Sequence, residues 1–161
     1  MSATVARVAG RILLVDPRDR VLLINEAMQP DWPYWLTPGG GVEAGETPRL
    51  AAIREVFEET GIRLAGDQVC ELLRVQQRQW AHAGTTYDQT DHFFAARVPG
   101  GIEPVAAAPT PMERAALLGF AWWSADELRA ASHRFFPADI AELLDLGVRI
   151  LAGREHDAAQ A

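Results

Sequence analysis

The residues of this chain best placed to do chemistry are three glutamates, Glu55, Glu58 and Glu59, at i, i+3 and i+4. On an α-helix that spacing puts them on one face. Like-charged helical pairs repel by about 0.2–0.5 kcal/mol each even when exposed. A divalent cation reverses that sign, and carboxylate oxygens are the ligands that Mg²⁺ and Mn²⁺ prefer. Taken alone, the pattern is weak evidence for metal, because a solvated acidic face is the commoner case. The residues before it add a second element. Gly39-Gly40-Gly41 reads as a loop that lets backbone approach a ligand closely, so that a carbonyl there can join a metal's shell. It is not a dinucleotide fingerprint, because Gly39, Gly41 and Gly45 miss that spacing and the helix that follows is acidic.

The joint pattern is more specific. Gly40, Glu46 and then Arg54-Glu55-Val56-Phe57-Glu58-Glu59-Thr60-Gly61-Ile62 follow the spacing G-x5-E-x7-R-E-U-x-E-E-x-G-U, with U aliphatic. This stretch resembles the complete box of the Nudix hydrolases. Less specifically, the segments Trp35 to Glu43 and Phe120 to Leu128 are similar to that family's usual approach to the box and to its late strand-to-helix passage. The resemblance implies an α/β/α sandwich with a mixed β-sheet between helices. It implies Glu55, Glu58 and Glu59 as metal ligands, completed by the Gly39 carbonyl, with Mg²⁺ or Mn²⁺ as cofactor. Arg54 would orient the glutamates, while Gly40, Glu46 and Gly61 would shape the box. A further acid often comes from a late loop; Glu113 is the first candidate and Glu103 the second. The implied activity is hydrolysis of a phosphoanhydride bond by an activated water, with a box glutamate or the late acid taking the proton.

The elements that must position these groups can be read from the chain. Thr47 is a fit N-cap, Pro48 suits the first helical position and Gly61 the left-handed position after the last turn, so a helix is expected over Pro48–Thr60. Leu50, Ile53, Val56 and Phe57 lie opposite the acids and are expected to pack on the sheet; Ala51 and Ala52 flank the acids and leave room for approach. Arg11–Val15 and Val21–Ile24 read as strands buried on both faces, joined by a turn at Asp16-Pro17-Arg18-Asp19. Positions 26–36 read as irregular and aromatic. Further strands are expected at Val69–Val75, His92–Val98 and Phe120–Trp123. Ser124 and Glu127 form a capping box for a short helix. The proline-rich stretch 99–111 reads as loop, and Ala138–Leu151 as the last helix. One domain over residues 1–154 with a flexible tail at 155–161 is expected.

Composition narrows the function classes. All 15 cationic side chains are arginines, which excludes a Walker-type phosphate loop, a kinase strand lysine and Schiff-base chemistry. A net charge of −7 disfavours long nucleic acid but not a small phosphate ester held through metal. Cys70 is the one cysteine, so no internal disulfide forms, and its apolar neighbours make it a small buried hydrophobe rather than a nucleophile. No apolar run is long enough to span a membrane, and the first residues lack a leader pattern; the expected compartment is the cytoplasm.

The substrate is less sharply defined. Trp32, Tyr34 and Trp35 offer base stacking or plain packing. His82 and Tyr87 line a pocket or sit at a hairpin tip, and His92 and His133 have no partner at metal spacing. Nucleoside triphosphates are the default small-molecule partner. An ADP-sugar or dinucleoside polyphosphate is the alternative. The resemblance also admits a homodimer. Other classes are a silent nucleotide-binding module, which usually has an eroded box, and a prenyl-diphosphate isomerase, which needs a catalytic cysteine outside a complete box.

Overall fold

Residues 4–27 and 32–161 are described by a computed structural model. The N-terminal stretch Met1–Ala3, read above for a leader, and positions 28–31 of the irregular segment lie outside the described residues. The chain begins with β1 (Thr4–Val15), β2 (Val21–Glu26), β3 (Tyr34–Leu36) and β4 (Gly39–Gly41), followed by α1 (Pro48–Thr60). Then come β5 (Arg74–His82), β6 (Thr85–Arg97), α2 (Pro111–Ala116), β7 (Leu117–Trp123), α3 (Ala125–Ala130), β8 (Phe135–Phe136) and α4 (Ile140–Gln160).

The strands form one mixed sheet with the path β5-β6-β1-β2-β3-β8; β4 pairs with β1 and β7 with β2. β1 and β6 run parallel from Thr4↔Thr86 to Val15↔Arg97, while β1–β2, β1–β4 and β5–β6 are antiparallel. In β1, residues Ile12, Leu13, Leu14 and Val15 are all fully buried, because successive side chains enter two different cores. On one face Ile12, Leu14, Leu22 and Phe94 pack against α1 through Ala52 and Val56. On the other, Leu13, Val15, Leu23 and Phe93 pack against α3 and α4 through Leu128, Ile140 and Leu144. Helices therefore cover both faces, and the α/β/α sandwich expected from the sequence is the architecture found. No helix of the described residues is long and apolar enough to cross a membrane.

Helix α1 starts and stops where its caps dictate. Thr47 accepts from the Leu50 N–H, and Gly61, at φ 71°, donates to the Phe57 carbonyl. Its packing face differs from expectation. Leu50 is 54% exposed, and Ile53 and Phe57 are only partly buried. Ala51, Ala52, Val56 and Thr60 are the buried residues. The two alanines are not beside open space; they let the helix lie directly on β1. At Gly10 a Cβ would stand 1.8 Å from the Pro48 carbonyl oxygen and 3.0 Å from the Ala52 Cβ. Close approach of backbone to backbone thus replaces the larger apolar contacts the sequence implied.

Other differences lie mostly at strand bounds, where half-solvated residues carry weak apolar signals. β1 starts at Thr4 rather than Arg11, and β2 continues to Glu26. The segment read as irregular contains β3, paired Glu26↔Tyr34 to Ile24↔Leu36 with β2. Gly39–Gly41 is a strand, not a loop, paired Ala9↔Gly41 to Arg11↔Gly39. The strand expected from Val69 begins at Arg74; Val69 makes a lone bridge to Ala96. β5 and β6 then form a long hairpin turning at residues 83–84, so His82 ends one strand and Tyr87 lies within the next. Helix α4 continues through the expected tail to Gln160, supported by Arg97–Glu155 and by Arg154 donating to the Asp67 carbonyl.

Candidate functional site

Alternation along β4 decides how the site is built. Ile12 N–H donates to the Pro38 carbonyl and Val42 N–H to that of Val8, which makes Gly10↔Gly40 the hydrogen-bonded pair between them. Gly39 and Gly41 therefore direct their N–H and C=O groups away from β1, along the outer edge of β4. Two such groups are spoken for: Gly39 N–H donates to Glu59 Oε2 at 2.8 Å, and the Gly41 carbonyl accepts from Arg54 Nη2 at 2.9 Å. The Gly39 carbonyl lies along this same edge. Gly40 has no Cβ because the Glu55 carboxylate occupies its place, with Cδ 2.4 Å from where a Cβ would stand.

Arg54 is the hub of the box. Its Nε donates to Glu46 Oε1 at 2.8 Å and Nη2 to Glu46 Oε2 at 3.0 Å, a two-pronged pair. Its Nη1 donates to Glu55 Oε1 at 2.8 Å and Glu58 Oε2 at 3.3 Å. Glu46 in turn accepts from the Glu43 N–H at 3.0 Å. The Arg54 hydrogen bonds, followed by the Glu43 N–H, hold the Glu46 carboxyl down at about 2. The same pairing, led by Glu46, raises Arg54 further above its ordinary range. Glu46 and Arg54 thus tie α1 to the chain leaving β4.

The remaining acids are under-compensated. Burial raises the Glu55 carboxyl above its usual range, against the pull of Arg54. Burial raises Glu59 well above, with Glu55 and Glu26 adding to it and the Gly39 N–H opposing. Glu26, at the end of β2, is raised by burial and by Glu113, with Arg11 opposing. Glu26, Glu59 and Glu113 line one small cleft with Ile24, Pro109 and Leu117. Glu113 lies not in a loop but in the first turn of α2, where its Oε2 accepts from the Thr110 N–H at 2.7 Å. Glu103 faces elsewhere, into a groove of about 450 Å³ beyond the C-terminal end of α1.

The structure thus brings Glu55, Glu58, Glu59, Arg54, Glu46, Gly39, Gly40 and Glu113 into one neighbourhood, with Gly61 ending the helix. It also adds Glu26, which sequence reading missed. Its signal was period two: Leu22, Ile24 and Glu26 share the α1 side of β2. The aromatic candidates separate. Trp35 meets Trp123 edge-on at 5.2 Å and His133 at 6.3 Å, in a cluster with Phe135. Trp32 is 55% exposed, under the Arg134 guanidinium. Cys70 is fully buried, as expected, and its Sγ accepts from the Ala95 N–H at 3.1 Å.

The donor set suits a hard divalent cation: carboxylate and carbonyl oxygens carrying more negative charge than the one arginine offsets. Among the described residues no three acidic or histidine side chains converge on a single point. Glu55 and Glu58 are turned to Arg54, and Glu59 to Gly39.

Comparison with known proteins gives a consistent picture. The model of the NUDIX domain matches residues 5–144. Over 45 residues the chain is 51% identical to diphosphoinositol polyphosphate phosphohydrolase 3-beta of Bos taurus, covering 28% of this chain and 26% of that protein. Over 48 residues it is 46% identical to diphosphoinositol polyphosphate phosphohydrolase 2 of Homo sapiens, covering 30% and 26%. These matches span about a quarter of the length of those relatives. Among solved structures, the MutT NUDIX hydrolase from Burkholderia pseudomallei is similar with a TM-score of 0.65 at 26% identity, covering 88% of this chain and 98% of that one. The E. coli dihydroneopterin triphosphate pyrophosphohydrolase shares the fold, with a TM-score of 0.63 at 22% identity over 88% of this chain and 95% of that one.

Proposed function

The chain belongs to the NUDIX domain family, and from that premise we propose that it is a Mg²⁺- or Mn²⁺-dependent pyrophosphohydrolase acting on a nucleoside triphosphate or a related nucleotide. The observation that carries this reading is the surplus of half-buried carboxylate at Glu26, Glu55 and Glu59 beside the glycine strand β4, of which, among the described residues, only Glu55 is hydrogen-bonded to a guanidinium, that of Arg54. Burying unpaired negative charge is costly unless a cation joins it.

Glu55, Glu58 and Glu59 would hold the cation, exchanging their present Arg54 and Gly39 partners for it, and the Gly39 carbonyl would complete the set. When bound, such an ion neutralises charge that builds on the anhydride oxygens during attack by water. The chain's own groups do the rest. Until the ion binds, Arg54 keeps Glu55 and Glu58 on the β4 side of α1, and Glu46 keeps Arg54 there. Gly40 allows the Glu55 carboxylate to press against the strand. Glu113 spends Oε2 on its helix cap and retains Oε1 to take the proton from the attacking water. The products would be a nucleoside monophosphate and pyrophosphate, or a phosphorylated leaving group.

A panel of nucleoside triphosphates, ADP-sugars and dinucleoside polyphosphates, assayed with Mg²⁺ and Mn²⁺ for released phosphate and pyrophosphate, tests this. Metal-dependent cleavage of a triphosphate is expected. Absence of cleavage of every member, or equal cleavage in excess chelator, overturns it.

A further inference from the structure

On the opposite face of β4 from the carboxylates lies a second charged group that the box does not use. Side chains alternate along a strand. At Gly40 the absent Cβ is replaced by Glu55; at Gly41, one residue on and on the other face, it is replaced by Arg7, with Nη2 2.9 Å and Nε 3.0 Å away. The glycine strand is therefore a wall one backbone thick, acidic on one side and cationic on the other. Among the described residues no further strand covers its outer edge.

Arg7 makes no hydrogen bond or ion pair with any described residue, although it is half-buried. It is oriented by a ring: its guanidinium stands 5.8 Å from the centroid of Trp80. Trp80 stacks on Tyr87 at 4.3 Å and donates its indole N–H to Gln89 Oε1 at 3.1 Å, so the ring is fixed. Arg78 stands over the same ring at 5.9 Å. Asp91, on the same face of the sheet, is fully buried and already committed to other partners. Its Oδ1 accepts from Arg11 Nε at 2.8 Å and Gln89 Nε2 at 2.7 Å, and its Oδ2 from Arg78 Nε at 3.0 Å. Two guanidiniums, Arg11 and Arg78, share the Asp91 carboxylate, and Arg7 adds a third cation on the same face without an ion pair of its own among the described residues. In a chain of net charge −7 this is a local positive surplus, and the planar donors of Arg7 are unspent.

We propose that Arg7, backed by Trp80 and assisted by Arg78, binds a phosphoryl group of the substrate that is not part of the cleaved anhydride, and so selects substrates carrying at least one phosphate beyond the reacting pair. This rests on the hydrolase reading above and deepens it. A phosphate oxygen pair matches the guanidinium fork. The scissile anhydride would lie at the carboxylates, and the chain of phosphates would cross the outer edge of β4, beside the groups that Glu59 and Arg54 hold there, to reach the arginine. A substrate with only the two reacting phosphates leaves Arg7 unused.

The experiment has two arms. In the first, tripolyphosphate binding is measured by calorimetry in chelator, so that no metal contributes, for the full chain, Arg7→Gln, Arg7→Lys and, as a control of equal charge change, Arg149→Gln on the exposed side of α4. Full-chain binding is expected to weaken about tenfold to a hundredfold in Arg7→Gln, as for loss of a charged hydrogen-bonded pair. It should recover in part in Arg7→Lys and stay unchanged in Arg149→Gln. In the second, kcat/KM for adenosine triphosphate over that for ADP-ribose is compared between the full chain and Arg7→Gln. The ratio is expected to fall at least tenfold, through KM. Equal tripolyphosphate binding by the full chain and Arg7→Gln, or an unchanged ratio, overturns the proposal. Failure to hydrolyse these two nucleotides and every other member of the panel overturns the hydrolase reading instead, and the first arm still reports on Arg7.

Discussion

Substituting Gly40 by alanine isolates the close approach on which the site depends. The backbone at Gly40 is one that alanine adopts without strain, so only the new methyl matters. It would stand 2.4 Å from Glu55 Cδ and 2.5 Å from Oε1. Ordinary contact begins at 3.4 Å, so the carboxylate must withdraw by about 1 Å (3.4 − 2.4). A misplacement of about 1 Å in a positioned catalytic group costs about 10²-fold in rate. The fold has little to lose, because the displaced atoms are the end of a flexible side chain. The alanine also narrows the unfolded ensemble by about 0.4–1 kcal/mol in favour of folding. Gly40→Ala is therefore expected to cut kcat/KM about a hundredfold with Tm within a few degrees of the parent. Gly10→Ala is the contrast. Its methyl would stand 1.8 Å from the Pro48 carbonyl, a backbone atom, so α1 itself must lift and Tm should fall steeply. Kinetics and thermal melts of the two variants suffice. Parental activity in Gly40→Ala, or collapse of its fold, would refute the reasoning.

Glu58→Gln should keep the fold, since its side chain is 35% exposed, and lower turnover by at least about 10²-fold, read as kcat with the panel's best substrate. Glu113→Gln preserves the Thr110 cap and removes only the charge; a fall in kcat of about 10²–10⁴-fold is expected if it takes the proton, and an unchanged kcat moves that role to the box. Asp91→Asn strands Arg11 and Arg78, and should cost about 3–5 kcal/mol, or roughly 6–20 °C at about 2–4 °C per kcal/mol. Acid sensitivity follows from the same carboxyls. Asp91, although burial opposes it, is lowered by Arg11 and Arg78, and Glu46 is held at about 2 by Arg54. Their folded values lie below the unfolded ones, so their stabilisation is present above about pH 4.5 and lost as pH falls towards about 2. Glu26, Glu55 and Glu59 act oppositely, since burial raises them: their contribution holds in acid and is lost as pH rises through the folded values. Melts across pH should therefore show divalent cations raising Tm more at neutral pH than at pH 5.

The box was legible because its residues lie close along the chain. A capped helix fixes Glu55, Glu58 and Glu59 by periodicity alone, and Arg54 and Glu46 fall within reach of the same turn. The two buried strands were legible because four consecutive apolar residues need cover on both faces. What the sequence hid depends on pairing over long separations. Gly39–Gly41 looks like a loop because glycine has no strand signal; only pairing with β1 makes it a wall. Glu26 ends the period-two run of Leu22 and Ile24, but an acid after two buried apolar residues reads as the end of a strand; Arg7 sits between the exposed Val5 and Val8, so no apolar alternation announced it. The packing face of α1 was misread because Leu50 and Phe57 outweigh two alanines on a hydrophobicity scale. Backbone proximity at Gly10 favours the alanines instead.

The claim at the centre of this account is that the acids of α1 and the glycine edge of β4 hold a divalent cation that the reaction requires. Manganese titration followed by electron paramagnetic resonance, on the parent and on Glu55→Gln and Glu59→Gln, addresses it directly. Saturable binding by the parent, weakened at least tenfold in both variants in step with their loss of hydrolysis, is the expected result. Undiminished manganese binding in the variants, or full hydrolysis after the ion has been stripped, would contradict it.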